Sequence, residues 1–285
     1  MKTLLTLILS LFATAVMAQS QPNLQNFTPS VLYKPGQWEF KNFNNLYTQQ
    51  RHFSPEGGKE FTGRGRETYF SSINQFLYGL NSYLNIGLDV WVKNVNLEQS
   101  TLNNWWAVSG IGPKIKIAPF KSIPRLSIQS TLLFPLANDL EGRAPDNMNA
   151  FLEHDRTLWM NQVFYDQSLG SKFQIFLQQA FWYSMVRDSF RENNYLQTPT
   201  SAFLSYFPNQ RVTLYAMSEF WPTHYDTNQQ QTAAFHSYFL QSGGGVKYQL
   251  VPGLIEMELL YTNFWMGSDF EGAGETFNLG IRVIR

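Results

Sequence analysis

The sequence predicts an all-β protein, a single antiparallel up-and-down transmembrane β-barrel of about twelve strands. Three observations predict this fold class: the composition, an alternation of apolar and polar residues, and connections that alternate between short and long. Period-two alternation is the pattern of strands with one apolar face. Short turns at one end and long loops at the other are typical of transmembrane barrels.

The composition excludes several classes of protein. Of 285 residues, 44% are hydrophobic, 16% aromatic and 15% charged, whereas soluble domains usually carry more charge and disordered chains have few aromatics. Because the chain has no Cys, it has no disulfide, thiolate metal site or cysteine nucleophile. The formal net charge is zero, so no nucleic-acid partner is indicated.

Residues 1–18 have the pattern of a cleaved signal peptide, which directs export. Lys2 supplies the positive charge, 4–15 is apolar, and Val16 and Ala18 are small enough for signal peptidase. A buried first helix is the alternative, but the segment lacks a cap and a polar stretch follows it. We therefore predict a signal peptide at 1–18, a periplasmic N-terminal segment at 19–35 and the barrel at 36–285. No later apolar stretch is long enough for a membrane-spanning helix.

The clearest alternation lies at 84–93. One face carries the aliphatic residues Leu84, Ile86, Leu88, Val90 and Val92, and the other carries Asn85, Gly87, Asp89 and Lys93. The same pattern recurs at 114–117, 255–259 and 277–283. A soluble sandwich with this apolar face inward would satisfy the pattern, as would an outer-membrane barrel with the face on lipid.

Loop lengths favour the barrel. The predicted strands are 36–50, 65–78, 83–94, 105–119, 124–136, 156–166, 172–186, 199–207, 211–221, 233–250, 254–266 and 275–285. Short turns at 79–82, 120–123, 166–171, 208–210 and 251–253 alternate with long connections near 51–64, 95–104, 137–155, 187–198, 222–232 and 267–274. In outer-membrane barrels the short turns face the periplasm and the long loops face outward.

Tryptophan positions agree with this topology. Seven of the eight Trp residues adjoin a long loop, and we predict that they form an aromatic girdle at the outer membrane interface: Trp91, Trp105, Trp106, Trp159, Trp182, Trp221 and Trp265. The alternative is that aromatic residues simply favour strands.

Taken together, these features resemble the Gram-negative outer-membrane β-barrel class. Two short segments, 28–39 and 130–137, are also similar to the outer-membrane transporter family named for the meta-pathway of phenol degradation. The resemblance implies export to the outer membrane, with membrane lipid and lipopolysaccharide as surroundings.

No catalytic motif is evident, so we predict no enzyme, no cofactor and no metal. His52, His154, His224 and His236 are scattered and lack metal-ligand spacing. His236-Ser237 does not match the His-x-Ser pattern of barrel phospholipases, which leaves a membrane-embedded lipid hydrolase as the least favoured alternative. The glycines at 110, 112 and 243–245 fit no nucleotide-binding motif and are predicted to bend strands or leave room in the lumen.

The longest loop, 137–155, is acidic. Its carboxylates are Asp139, Glu141, Asp146, Glu153 and Asp155. We favour a solvated loop, with two alternatives: binding of a hard cation or a Ca²⁺ bridge to lipopolysaccharide phosphates, or folding inward to constrict the pore.

Strand parity predicts the residues that line the lumen. They are Glu39, Lys41, Asp89, Lys93, Lys114, Lys116, Glu219, Lys247, Glu256, Glu258 and Arg282. Such charges suit passive or facilitated passage of a small solute through a narrow polar lumen. Two alternatives stay open: the charges form ion pairs that only stabilise the interior, or the barrel is closed and only presents surface loops.

Overall fold

The computed structural model describes residues 29–63, 65–98, 105–136, 151–187, 193–226, 233–269 and 271–285. The predicted signal peptide and three predicted acidic ligands, Asp139, Glu141 and Asp146, lie outside these residues. Within the described part, no helix is long and apolar enough to cross a membrane.

The described residues form fifteen strands. They are β1 (Trp38–Gln49), β2 (Arg51–Phe53), β3 (Lys59–Phe61), β4 (Glu67–Asn81), β5 (Leu84–Leu97), β6 (Trp105–Ile117), β7 (Leu126–Pro135), β8 (Arg156–Leu169), β9 (Phe173–Val186), β10 (Tyr195–Gln197), β11 (Thr200–Tyr206), β12 (Val212–Asp226), β13 (Ala233–Val251), β14 (Ile255–Gly267) and β15 (Glu275–Ile284).

The main sheet closes on itself. β1 pairs with β4 on one side and with β15 on the other, and every pairing in the sheet is antiparallel. The short strands β10 and β11 share one position in the wall, because both lie between β9 and β12. The wall therefore has twelve strand positions, which confirms the predicted up-and-down barrel. Closure leaves no unpaired sheet edge in the hydrocarbon.

The long connections contain more structure than predicted. The β2–β3 hairpin lies within the predicted loop 51–64, and β10 lies within 187–198. Each of these three strands has only three residues. Segments this short carry too little alternation to be recognised from sequence.

Apolar side chains of the wall face outward. Ile86 and Leu88 are each 41% exposed, whereas Asp89, which follows Leu88 in the strand, is 1% exposed. This distribution contradicts the sandwich alternative, in which the aliphatic face would be buried. It gives the outer surface the apolar band that a transmembrane barrel presents to lipid.

Glycines on the inner face allow close packing against the wall. A Cβ on Gly245 would lie 2.5 Å from the Tyr215 hydroxyl, and one on Gly112 would lie 2.0 Å from the Leu132 carbonyl oxygen. At Gly112 the nearest atoms belong to the backbone of the neighbouring strand, so the geometry shows close approach of the strands, and room in the lumen stays a prediction.

Three of the predicted girdle tryptophans lie on the outer face. Trp106, Trp159 and Trp265 are 58%, 47% and 63% exposed, and each lies near a long-loop end of its strand. Their position suits the membrane interface. The side chain of Trp105 is outside the described part of the structure.

The other three take a different position from the one predicted. Trp91, Trp182 and Trp221 face the interior, where they contact other inward-facing aromatic rings. The reason is strand parity: Trp91 alternates with Val90 and Val92 and so shares a face with Asp89 and Lys93. These three residues are therefore corrected from the lipid interface to the lumen.

Candidate functional site

The predicted lumen-lining residues all lie on the inner side of the ladder. Lys41 is paired with Arg282 and Gln75, and Gln75 is paired with Asp89, so these residues share one face of the wall. The same register places the rest of the predicted set inward: Glu39, Lys93, Lys114, Lys116, Glu219, Lys247, Glu256 and Glu258. Their role in binding a solute stays a prediction.

Several of these charges are paired along the wall. Lys114 Nζ lies 2.5 Å from Asp89 Oδ1, and both side chains are almost fully buried. Arg282 Nε lies 2.6 Å from Glu39 Oε2. These pairs fit the alternative that the charges form ion pairs that only stabilise the interior, since a buried charge requires a close partner.

Residues 29–35, which we name the inner segment, cross the interior at the short-turn end. Lys116 Nζ donates hydrogen bonds to the carbonyl oxygens of Pro29 and Val31, the latter at 2.6 Å. The hydroxyl of Ser30, which is fully buried, donates to Asp166. Tyr33 packs in a small apolar cluster with the wall. The described end of the predicted periplasmic segment therefore obstructs this end of the lumen.

Residues 151–155, which we name the outer cap, obstruct the other end. Lys93 Nζ donates to the Phe151 carbonyl at 2.7 Å and to Glu153 Oε1 at 2.8 Å, and Leu152 is buried against inward-facing residues of β5. Arg156 Nε lies 2.5 Å from the second Glu153 oxygen. The described part of loop 137–155 is thus folded inward rather than solvated.

The two described carboxylates of this loop face cations of the protein. Glu153 contacts Lys93 and Arg156, and Asp155 lies 3.7 Å from Arg156. Burial raises the pKa of Glu153, but the charges of Arg156 and Lys93 outweigh that effect and the pKa is lowered. Among the described residues, no group of three or more acidic, His or Cys side chains is placed to hold a metal ion.

His154 is buried in the outer cap. Neither ring nitrogen has a hydrogen-bond partner among the described residues. Burial, together with the positive charges of Arg187 and Lys93, lowers its pKa to about 4, although Glu153 opposes this. In an undocked cap the ring would titrate near pH 6.5.

We expect the outer cap to undock as the pH falls from about 6.5 towards 4. Over that range the undocked cap binds a proton that the docked cap excludes, and full protonation disfavours docking by roughly 3 kcal/mol. The measurement is hydrogen exchange of the backbone amides at 151–155 against pH, corrected for the intrinsic pH dependence of exchange. His154→Asn, which cannot titrate, should flatten the response; an unchanged acid response in this variant would contradict the prediction.

Inward-facing aromatic side chains form a series of contacts across the interior up to the outer cap. This inner aromatic ring consists of Tyr47, Tyr69, Trp91, Phe151, Trp182, Trp221, Phe239 and Phe264. From Trp91 round to Phe151, the centroids of successive members lie 4.8–6.5 Å apart. Lys93 closes the circuit, 4.7 Å from the Phe151 centroid and 5.2 Å from that of Trp91.

A chamber lies between the inner segment and the inner aromatic ring. It comprises two cavities of about 190 and 160 Å³. Both are lined by Pro29, Lys41, Phe43, Gln178 and Arg282. Tyr47 of the ring lies four residues beyond Phe43 on β1, or about 13 Å along the strand. A water molecule occupies about 30 Å³ in the liquid, so the chamber has room for a small solute.

The four histidines named in the sequence analysis do not form a hydrolytic site within the described part of the chain. His236 and Ser237 are neighbours in β13 at a shift of the strand register, and Ser237 is buried whereas His236 is exposed. The Ser237 hydroxyl donates to Glu271 Oε1 at 2.6 Å. His52 lies 3.9 Å from Glu60, and His224 contacts the Phe235 ring.

Comparisons with known proteins identify the fold. No known protein family and no curated protein match the chain. Its structure is similar to an outer membrane channel from Pseudomonas putida F1, with a TM-score of 0.71 and 12% identity over 92% of this chain and 100% of that chain. It is also similar to the β domain of the Bordetella autotransporter BrkA, with a TM-score of 0.53 and 10% identity over 87% of this chain and 99% of that chain.

At these identities the likeness establishes the fold alone. The chain has the closed antiparallel barrel of outer-membrane proteins, which confirms the resemblance to that class. The similarity to the transporter family named for the meta-pathway still rests on two short segments.

Proposed function

We propose that the protein is an outer-membrane barrel through which a small solute passes. The observation that carries this proposal is the chamber, a charged and partly aromatic space enclosed by a wall whose outer face is apolar. The shared fold with a solved outer membrane channel supports it. Outer-membrane lipid and lipopolysaccharide would surround the wall, and passage requires neither a reaction nor a cofactor.

The proposed mechanism is partial desolvation followed by polar contact. A solute that enters from the long-loop end passes the outer cap and gives up water at the inner aromatic ring. In the chamber, amide and charged side chains replace part of the lost hydration. The inner segment then has to shift before the solute leaves at the short-turn end.

The second candidate function is a closed barrel that presents surface loops. It is favoured by the obstruction at both ends, where the outer cap and the inner segment are hydrogen-bonded to the wall. The two candidates differ in whether any solute crosses.

Swelling of proteoliposomes in glycerol, arabinose and sucrose separates these functions. We expect the smaller solutes to enter and sucrose to be retarded, because the chamber is small. A variant that lacks residues 19–33 should admit all three faster, since most of the inner segment is then absent. If neither protein admits glycerol, the channel is refuted and the closed barrel is favoured.

A further inference from the structure

The chamber has two chemically different sides. One wall carries a row of aromatic rings: Phe164 stacks on Phe176 at 5.9 Å, and Phe203 lies 5.4 Å from Phe176. The other wall carries Lys41, Arg282 and Lys247. A ligand that contacts both sides must itself be amphipathic, with an apolar body and a polar head.

The side chains that line the chamber carry a net positive charge. Four are cationic and two are anionic: Lys41, Lys116, Lys247, Arg282, Glu39 and Glu258. Both carboxylates are already engaged: Glu39 contacts Arg282 and accepts from Tyr33, and Glu258 accepts from Tyr215 at 2.5 Å. The head group that this lining would recognise is therefore an anion.

Two polar groups that line both cavities have no polar partner among the described residues. The Lys41 ammonium lies 5.1 Å from the Phe43 ring centroid and forms no hydrogen bond or ion pair there. The Gln178 amide, on β9, is likewise without a hydrogen bond within the described part of the chain. Unpaired donors in a low-dielectric space bind an anion strongly, because each gains a charge-assisted hydrogen bond.

We propose that the chamber is a binding site for a small organic monocarboxylate. Its carboxylate accepts hydrogen bonds from Lys41 and Gln178, and its flat apolar body lies against Phe176 and Phe203. The inner aromatic ring above the chamber suits the same ligand, because it passes flat apolar bodies more readily than hydrated ions. The inference deepens the proposed function by naming a class of solute, and rests on it only in that respect.

Calorimetric titration of the folded barrel in detergent with benzoate and benzamide tests the site. The two probes have similar size and shape and differ in charge. We expect benzoate to bind at least about tenfold more tightly than benzamide, because a hydrogen bond to a charged group contributes more than one between neutral groups. Equal affinity, or no benzoate binding, would overturn the proposal.

Lys41→Met keeps the length of the side chain and removes its charge. We expect it to weaken benzoate binding about tenfold or more and to leave benzamide binding nearly unchanged. Lys172→Met is the matched control, because Lys172 is exposed in a short turn and does not line the chamber. Heat-modifiable migration in gels shows that each variant is folded. A Lys41 variant with wild-type affinity for benzoate refutes the assignment.

Binding is measured without flux, so this result is independent of liposome swelling. Benzoate binding without permeation of glycerol through either protein would support the site and refute the channel. Glycerol permeation without selective benzoate binding would retain the channel and refute the site.

Discussion

Lys114→Met is expected to lower the free energy of unfolding of the barrel by about 3–5 kcal/mol, the usual effect of breaking a buried ion pair. The substitution leaves Asp89, which is 1% exposed, without its cation. Gln75 still donates to the other Asp89 oxygen at 3.0 Å, but one neutral donor does not replace an ammonium. Urea unfolding in lipid vesicles, followed by tryptophan fluorescence, measures the change.

The matched control removes both charges. Asp89→Asn combined with Lys114→Met leaves no buried carboxylate, so this double variant should recover a large part of the lost stability. If Lys114→Met alone unfolds at the wild-type urea concentration, the pair does not stabilise the wall and the prediction is wrong.

The second large effect concerns the inner segment. Lys116→Met removes the two hydrogen bonds that hold the Pro29 and Val31 carbonyls. Each hydrogen bond to a charged group contributes about 1.5–3 kcal/mol, so the released fraction of the segment should rise by about tenfold or more.

Thiol labelling reports this release directly, because the chain has no cysteine of its own. In a Val31→Cys background, a water-soluble maleimide should react much faster when Lys116 is replaced than when Lys121 is. Lys121 is exposed in a short turn and does not contact the inner segment. Equal labelling rates in the two variants would show that Lys116 does not anchor the segment.

The wall could be predicted from the sequence because its pattern is local. In β5 the alternation of Leu88 with Asp89 separates an outer from an inner face, whatever the rest of the chain does. The same parity also assigned Trp91 to the interior. Proximity to a long loop, which predicts a girdle position for Trp91, does not determine the face of the strand on which the side chain lies.

The segments that obstruct the two ends of the lumen, and the aromatic contacts inside it, could not be predicted in this way. Ser30 and Asp166 are separated by 136 residues in sequence, and Lys93 and Glu153 by 60. Neither the inner segment nor the outer cap has a periodic pattern, so nothing local indicates which part of the wall it contacts. The inner aromatic ring likewise combines residues of seven strands and the outer cap, which come together only when the barrel closes.

The inner aromatic ring has an electrical consequence. Eight aromatic rings and the Lys93 side chain form one continuous set of contacts in the interior, and these rings offer few polar groups to replace the water that a metal cation would lose there. Ionic current through the inner aromatic ring should therefore be small even when a voltage is applied across the membrane. The barrel should therefore insulate the membrane against leakage of salt and conduct far less than its diameter suggests.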